Sequence, residues 1–271
     1  MRLLKFLFLR NRSKISNYDL RSLGSNDLFE ITLNSDIYVD KSEIINFLNK
    51  SILTSRRFIC LSRPRRFGKS VTAQMLCSYY SKCLDSSSQF ENLKISSFPS
   101  YRQHLNQYDV IFINMSDEFG RASHNVKLMI EYLTDSIVKE LKETYKNCEI
   151  SSPEFLDLSL QEVYNYSKVP FVFVIDEWDC IMREKKEDPD SLKQYLEWLK
   201  AIFKDKPYVG LAYMTGILPI KKYGSHSALN MFTEYSMTEP LNLGQYIGFT
   251  ENEVKDICKQ HDVAFNQMQQ W

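Results

Sequence analysis

Residues 57–62 read RFICLS, a short apolar run, and they lead straight into Arg63-Pro64-Arg65-Arg66-Phe67-Gly68-Lys69-Ser70. Val71, Met75, Leu76, Tyr79 and Tyr80 then recur at helical spacing. Strand, loop and helix in that order constrain the fold more than any other feature of the chain. The pattern GxxxxGK[ST] at a strand-to-helix junction is a phosphate-binding loop. Only its first glycine is missing here, with Arg63 in that place.

A phosphate chain needs backbone N–H groups converging at a helix N-terminus, a lysine that reaches the outer phosphates, and a hydroxyl for magnesium. Gly68, Lys69 and Ser70 supply these, and the nucleotide site is expected over Arg65, Arg66, Phe67, Gly68, Lys69, Ser70 and Val71. ATP is the preferred ligand. Arg63, Arg65 and Arg66 add guanidinium groups suited to bidentate phosphate contact. Solvent or a nucleic-acid backbone is the other destination for that cluster.

A second motif completes the chemistry. FVFVIDEWD places Asp176 and Glu177 just past a run of strand residues. Asp176 there is expected to serve the magnesium shell together with Ser70, and Glu177 to orient and deprotonate water. By itself a carboxylate pair at a strand end is an ordinary cap; in company with Lys69 it reads as catalytic. Trp178 reads as core packing. Thr215 ends YVGLAYMTG, where its hydroxyl can sense a terminal phosphate, although a turn threonine beside Gly216 is the plainer reading. Lys221 and Lys222 read as solvated loop lysines.

Around these motifs, apolar runs alternate with helical periods. Asp40 or Ser42 is expected to cap a helix through Leu48. DVIFINM is a strand, and helices follow from about Val126 to Tyr145 and again before Pro170. Asp190 or Ser191 caps a helix through Phe203, MFTEYSM is a fifth strand, and Thr250 with Glu253 forms a capping box. The Asn/Ser/Gly-rich piece from Gly24 to Asp27 reads as loop within a lead-in of mixed sequence. The fold class is α/β: a three-layer α/β/α arrangement on a mostly parallel sheet, with ligands beyond the carboxyl ends of the strands.

Composition bears on partners. The 34 basic residues balance 34 acidic ones, so no global field draws the chain to nucleic acid, which stays a possible partner only through a local patch. No run approaches the roughly 20 apolar residues a bilayer span takes, and MRLLKFLFLR is interrupted by Lys5 with no cleavage signal after it. Six scattered cysteines suit a reducing cytoplasm, and four histidines share no ligand spacing with them.

Taken in order, SDIYVDKSEIINFL, SRPRRFGKS, FVFVIDEWD and MTGILPIKK, ending in GFTENEV, resemble the AAA-ATPase-like proteins, which are often linked to a PD-(D/E)XK nuclease-like domain. The likeness covers roughly residues 26 to 258. It implies a P-loop ATPase fold of the additional-strand, catalytic-glutamate class, with Lys69 and Ser70 on phosphate and magnesium, Asp176 on the metal shell, Glu177 as base and Thr215 as sensor. It also implies that Tyr38 and Asp40, in the YVDK segment, lie near the adenine. The expected organisation is a lead-in over 1–25, the ATPase domain over 26–240, and the start of a helical lid over 241–271, with the nuclease-like domain cut away. An ATP-driven switch acting on a protein partner leads the functional readings. A non-hydrolysing nucleotide-binding scaffold and a nucleic-acid-binding module follow it.

Overall fold

Strands that are apolar at every position need cover on both faces. The computed structural model of the chain, which describes residues 23–220, 228–237 and 241–268, provides that cover. Lys221, Lys222, His226 and the first 22 residues of the lead-in lie outside the described residues. Five strands, β1 Phe58–Ser62, β2 Asp109–Asn114, β3 Phe171–Asp176, β4 Val209–Gly216 and β5 Thr233–Tyr235, form one sheet in the order β2-β3-β4-β1-β5. Every neighbouring pair is parallel. The strand that feeds the phosphate loop is therefore separated from the acidic strand by one inserted strand, β4.

On one face lie α1 Leu23–Leu33, α2 Glu43–Asn49 and α3 Lys69–Tyr80; Ile59, Leu61, Val172, Val174, Leu211 and Tyr213 point into this layer. The other face carries α4 Met115–Arg121, α5 Val126–Thr144, α6 Leu156–Ser167, α7 Cys180–Glu184 and α8 Pro189–Phe203, over Cys60, Ile113, Phe173, Ile175, Ala212 and Met214. Successive strand residues thus feed two separate cores. A further helix, α9 Glu251–Gln260, begins at the expected capping box of Thr250 and Glu253.

The alternation on β4 is reset near its start. Phe171 pairs with Val209 but Val172 pairs with Leu211, so Gly210 is an extra residue in β4. A Cβ on Gly210 would stand 3.1 Å from Pro170 Cβ and 3.3 Å from the Phe171 carbonyl oxygen, which accounts for a glycine at the bulge. Past the bulge, Leu211 and Tyr213 face α3, and by the same alternation so does Thr215.

Three local expectations are corrected. Gly24 to Asp27 is not loop but the first half of α1. Phe29 on that helix is fully buried and stacks on Phe90 at 5.3 Å, and this packing overrides the weak local propensity. The cap of α8 is Asp188, which accepts from the Ser191 amide with Pro189 in the first turn. Ser42 occupies the N-cap position of α2, yet its hydroxyl accepts from the Ile95 amide, while Asp40 Oδ1 accepts from the Ser42 amide.

Arg63 shows how β5 is held at the sheet edge. It is 2 % exposed, and its Nη1 donates to the carbonyls of Ser62 and Tyr235, each at 2.9 Å. A three-residue strand offers few ladder bonds, and the guanidinium adds one across to its last residue. Replacing Arg63 with Ala removes both bonds and leaves the Tyr235 carbonyl without this donor. The expected cost is about 2–3 kcal/mol, read as a melting temperature lower by roughly 5–10 °C.

Candidate functional site

The phosphate loop runs from the end of β1 to Gly68, the N-cap of α3. Positive φ angles at Arg66 (68°) and Gly68 (75°) bracket Phe67, a backbone arrangement that turns amides inward and builds anion-binding concavities. A twelve-residue helix behind the loop adds the positive end of its dipole. Lys69 is buried and folds across the loop, donating from Nζ to the Pro64 carbonyl at 2.9 Å.

The loop meets the acidic strand through Ser70, whose Oγ donates to Asp176 Oδ2 at 2.6 Å. The other carboxylate oxygen accepts from the Glu177 amide at 3.0 Å. Asp176 is 1 % exposed. Burial pushes its carboxyl above the ordinary range, against the Ser70 hydroxyl and the Glu177 amide, which favour the ionised form. Burial likewise lowers the Lys69 ammonium, opposed by the carboxylates of Asp176, Glu177 and Asp179.

Glu177 stands in the left-handed region at φ 53°, a turn that lets the Trp178 amide donate to the Thr215 carbonyl at 3.1 Å. This joins the ends of β3 and β4. Thr215 is fully buried and its Oγ1 lacks a hydrogen-bond partner among the described residues. Trp178 is fully buried, as its reading as core predicts. Gly216 is required by close approach: a Cβ there would stand 2.5 Å from Asp179 Oδ1 and 2.8 Å from the Trp178 ring.

Beside the loop lies a cavity of about 370 Å³ lined by Tyr38, Phe67, Val71, Met75, Tyr246 and Phe249 among others. Tyr38 is brought to it and Asp40 is not. The Asp40 carboxylate accepts instead from the amides of Ser42 and Lys94, at 2.8 and 2.6 Å, and fixes the chain leading into α2. Arg65 and Arg66 are exposed and Arg66 reaches the cavity wall, but Arg63 is spent on carbonyls, which corrects its assignment to phosphate.

Sequence reasoning missed the C-terminal contribution. Lys41 Nζ pairs with Glu253 at 2.6 Å and donates to the Gln245 carbonyl at 2.8 Å, fastening the YVDK segment to the start of α9. Gly248, at φ 79°, lets the Phe67 ring approach so closely that a Cβ would stand 2.8 Å from Phe67 Cδ1. The capping box was visible in sequence, but the second partner of Glu253 lies 212 residues away. Arg183 was also missed; its Nη2 forms an ion pair with Glu177 Oε2.

Among the described residues no group of three or more His, Cys, Asp and Glu could hold a metal by itself. Ser70 and Asp176 nevertheless offer adjoining oxygen donors, and these fit magnesium, which takes few protein oxygens and draws the rest of its shell from water and phosphate. No helix among the described residues is long and apolar enough to cross a membrane. A family model described as AAA-ATPase-like, predicted AAA-ATPase, matches residues 22–225. No curated protein matches the chain.

The buried charge of Asp176 yields a test. Its folded-state pKa is raised, so its ionisation costs stability, and that cost sets in as pH rises above the unfolded carboxylate value of about 4. Asp176→Asn can keep both hydrogen bonds, with Oδ1 accepting from Glu177 N–H and Nδ2 donating to Ser70 Oγ. It should stabilise the nucleotide-free chain at neutral pH by about 1 kcal/mol in thermal melts, with the gain vanishing toward about pH 4.

Proposed function

The chain belongs to the AAA-ATPase-like family, and on that premise we propose that it binds ATP with magnesium and hydrolyses it, using the nucleotide cycle to act on a protein partner. The observation that carries this reading is the contact of Ser70 with Asp176 directly beside Lys69 and Glu177. It brings the residues read as serving phosphate, metal and water activation together where α3 begins and β3 ends.

In this reading Lys69 leaves the Pro64 carbonyl to hold the outer phosphates, and the amides of Phe67 to Ser70 cradle them. Ser70 and Asp176 would hold magnesium, which supplies positive charge against the phosphate oxygens. Glu177 accepts a proton from a water whose oxygen bonds to the terminal phosphorus. The bond to the bridging oxygen breaks, and ADP leaves with the electron pair. The unpartnered Thr215 hydroxyl gives the terminal phosphate or that water a donor already held in place.

The base is assigned to the cavity beside the loop. Its walls are largely apolar and aromatic, and among the described residues no carboxylate lines it to accept from the ring N–H and amino groups of guanine, which supports adenine. Tyr246, Gly248 and Phe249 line the same cavity, so ligand contacts there reach the segment that Lys41 and Glu253 fasten. That gives the nucleotide a physical route to whatever the C-terminal segment engages.

Calorimetry with MgATP, alongside phosphate release, tests the reading. Lys69→Ala should weaken binding about 10²-fold, roughly 2.7 kcal/mol. Glu177→Gln should bind within about threefold of wild type and release phosphate about 10²- to 10⁴-fold more slowly. A folded wild-type chain that binds no MgATP ends the proposal. Binding without turnover reduces it to a nucleotide-binding scaffold.

A further inference from the structure

Arg183 sits on α7, a single helical turn whose Cys180, Ile181 and Met182 are buried in the core on the far side of the sheet from α3. Its guanidinium is shared between two carboxylates: Nη2 pairs with Glu177 Oε2, and Nε with Asp179 Oδ2 at 3.1 Å. Asp179 is fully buried, and its carboxylate also accepts from the amides of Ile217, at 3.2 Å, and Leu218, at 2.9 Å. Those amides open the turn immediately after Thr215 and Gly216. We infer that Arg183 is a positioning residue for Glu177: it fixes the carboxylate for water activation and registers it, through Asp179, to the turn that follows Thr215. The inference rests on the hydrolytic reading above.

Three features favour positioning over an incidental ion pair. An exposed pair contributes little, but the Arg183 side chain is 19 % exposed and its anchor Asp179 is wholly buried. Burial alone would lower the guanidinium's pKa; Asp179 and Glu177 outweigh it and raise the value, so the charge is held. The hydrogen bond from Arg183 goes to Oε2 of Glu177, and among the described residues no bond to Oε1 occupies the oxygen that would take the proton. A planar fork fixes the angle between its two partners, which an ammonium cannot do. Because Glu177 leaves the strand in a left-handed turn, its carboxylate needs such a fixture: positioned groups lose about tenfold or more in rate when they wander.

The test is steady-state phosphate release and MgATP calorimetry on the full chain, with thermal melts to confirm folding. The variants are Arg183→Ala, Arg183→Lys, Glu177→Gln and the double variant Arg183→Ala/Glu177→Gln. Arg183→Ala should lower kcat about ten- to hundredfold while KM and the calorimetric Kd stay within about threefold. Arg183→Lys, which keeps the charge and one of the two contacts, should recover at least about threefold of the loss. The double variant should be no slower than Glu177→Gln alone, because both changes remove one function. Unchanged or raised kcat in Arg183→Ala, loss of binding together with turnover, or a further fall in the double variant each overturns the inference while Glu177-dependent turnover in the wild type keeps the hydrolytic reading. Wild-type turnover that is absent, or indifferent to Glu177→Gln, overturns both.

Discussion

The hydrogen bond from Ser70 to Asp176 joins segments 106 residues apart, and most of the architecture can be understood as what it takes to bring them together. Ser70 stands in the first turn of α3 and Asp176 at the last position of β3, with β4 between β3 and the strand that launches the loop. The contact forms only if all three strands run the same way, end at the same level and carry α3 on the face toward which Asp176 points. Parallel pairing throughout the sheet meets the first condition, and two cores fed by alternate side chains meet the last. The cost is a carboxylate held where water cannot reach it, a penalty that a folded scaffold of this size can absorb.

The features legible in the sequence are those whose cause is local. Phe58 to Leu61 and Phe171 to Ile175 are apolar at every position and lie in strands buried on both faces; Gly68 and Lys69 open a helix because the loop before it turns left-handed at glycine. Thr250 and Glu253 satisfy each other three residues apart. Each case needs only a short window of chain, and such a window carries its own explanation.

What escaped depends on partners distant in sequence. Arg63 resembles its neighbours Arg65 and Arg66 in composition, yet it lies under the sheet's edge because the Tyr235 carbonyl is there to receive it. Asp40 and Tyr38 are two residues apart in a segment expected to serve as one unit. The backbone sends Tyr38 to the cavity and leaves Asp40 to cap the chain beside Lys94. Gly24 to Asp27 reads as loop until Phe90 is present to stack on Phe29. Periodicity assigns a side chain to a face, but only the assembled fold says what waits on that face.

The extra residue at Gly210 carries a consequence of this kind. A pleated strand has a phase, and whichever residues are in phase with the phosphate loop are chosen before their chemistry matters. Upstream of the bulge Val209 points to the far core, and were Gly210 to take a regular place in the pleat instead of the bulge, the count would hand Ala212 and Met214 to the α3 side and turn Tyr213 and Thr215 away from it. One glycine, at the end of β4 remote from Thr215, therefore decides whether a hydroxyl or a thioether is presented beside Asp176. A residue there that pleated in the ordinary way would leave the threonine in the sequence and remove it from the chemistry.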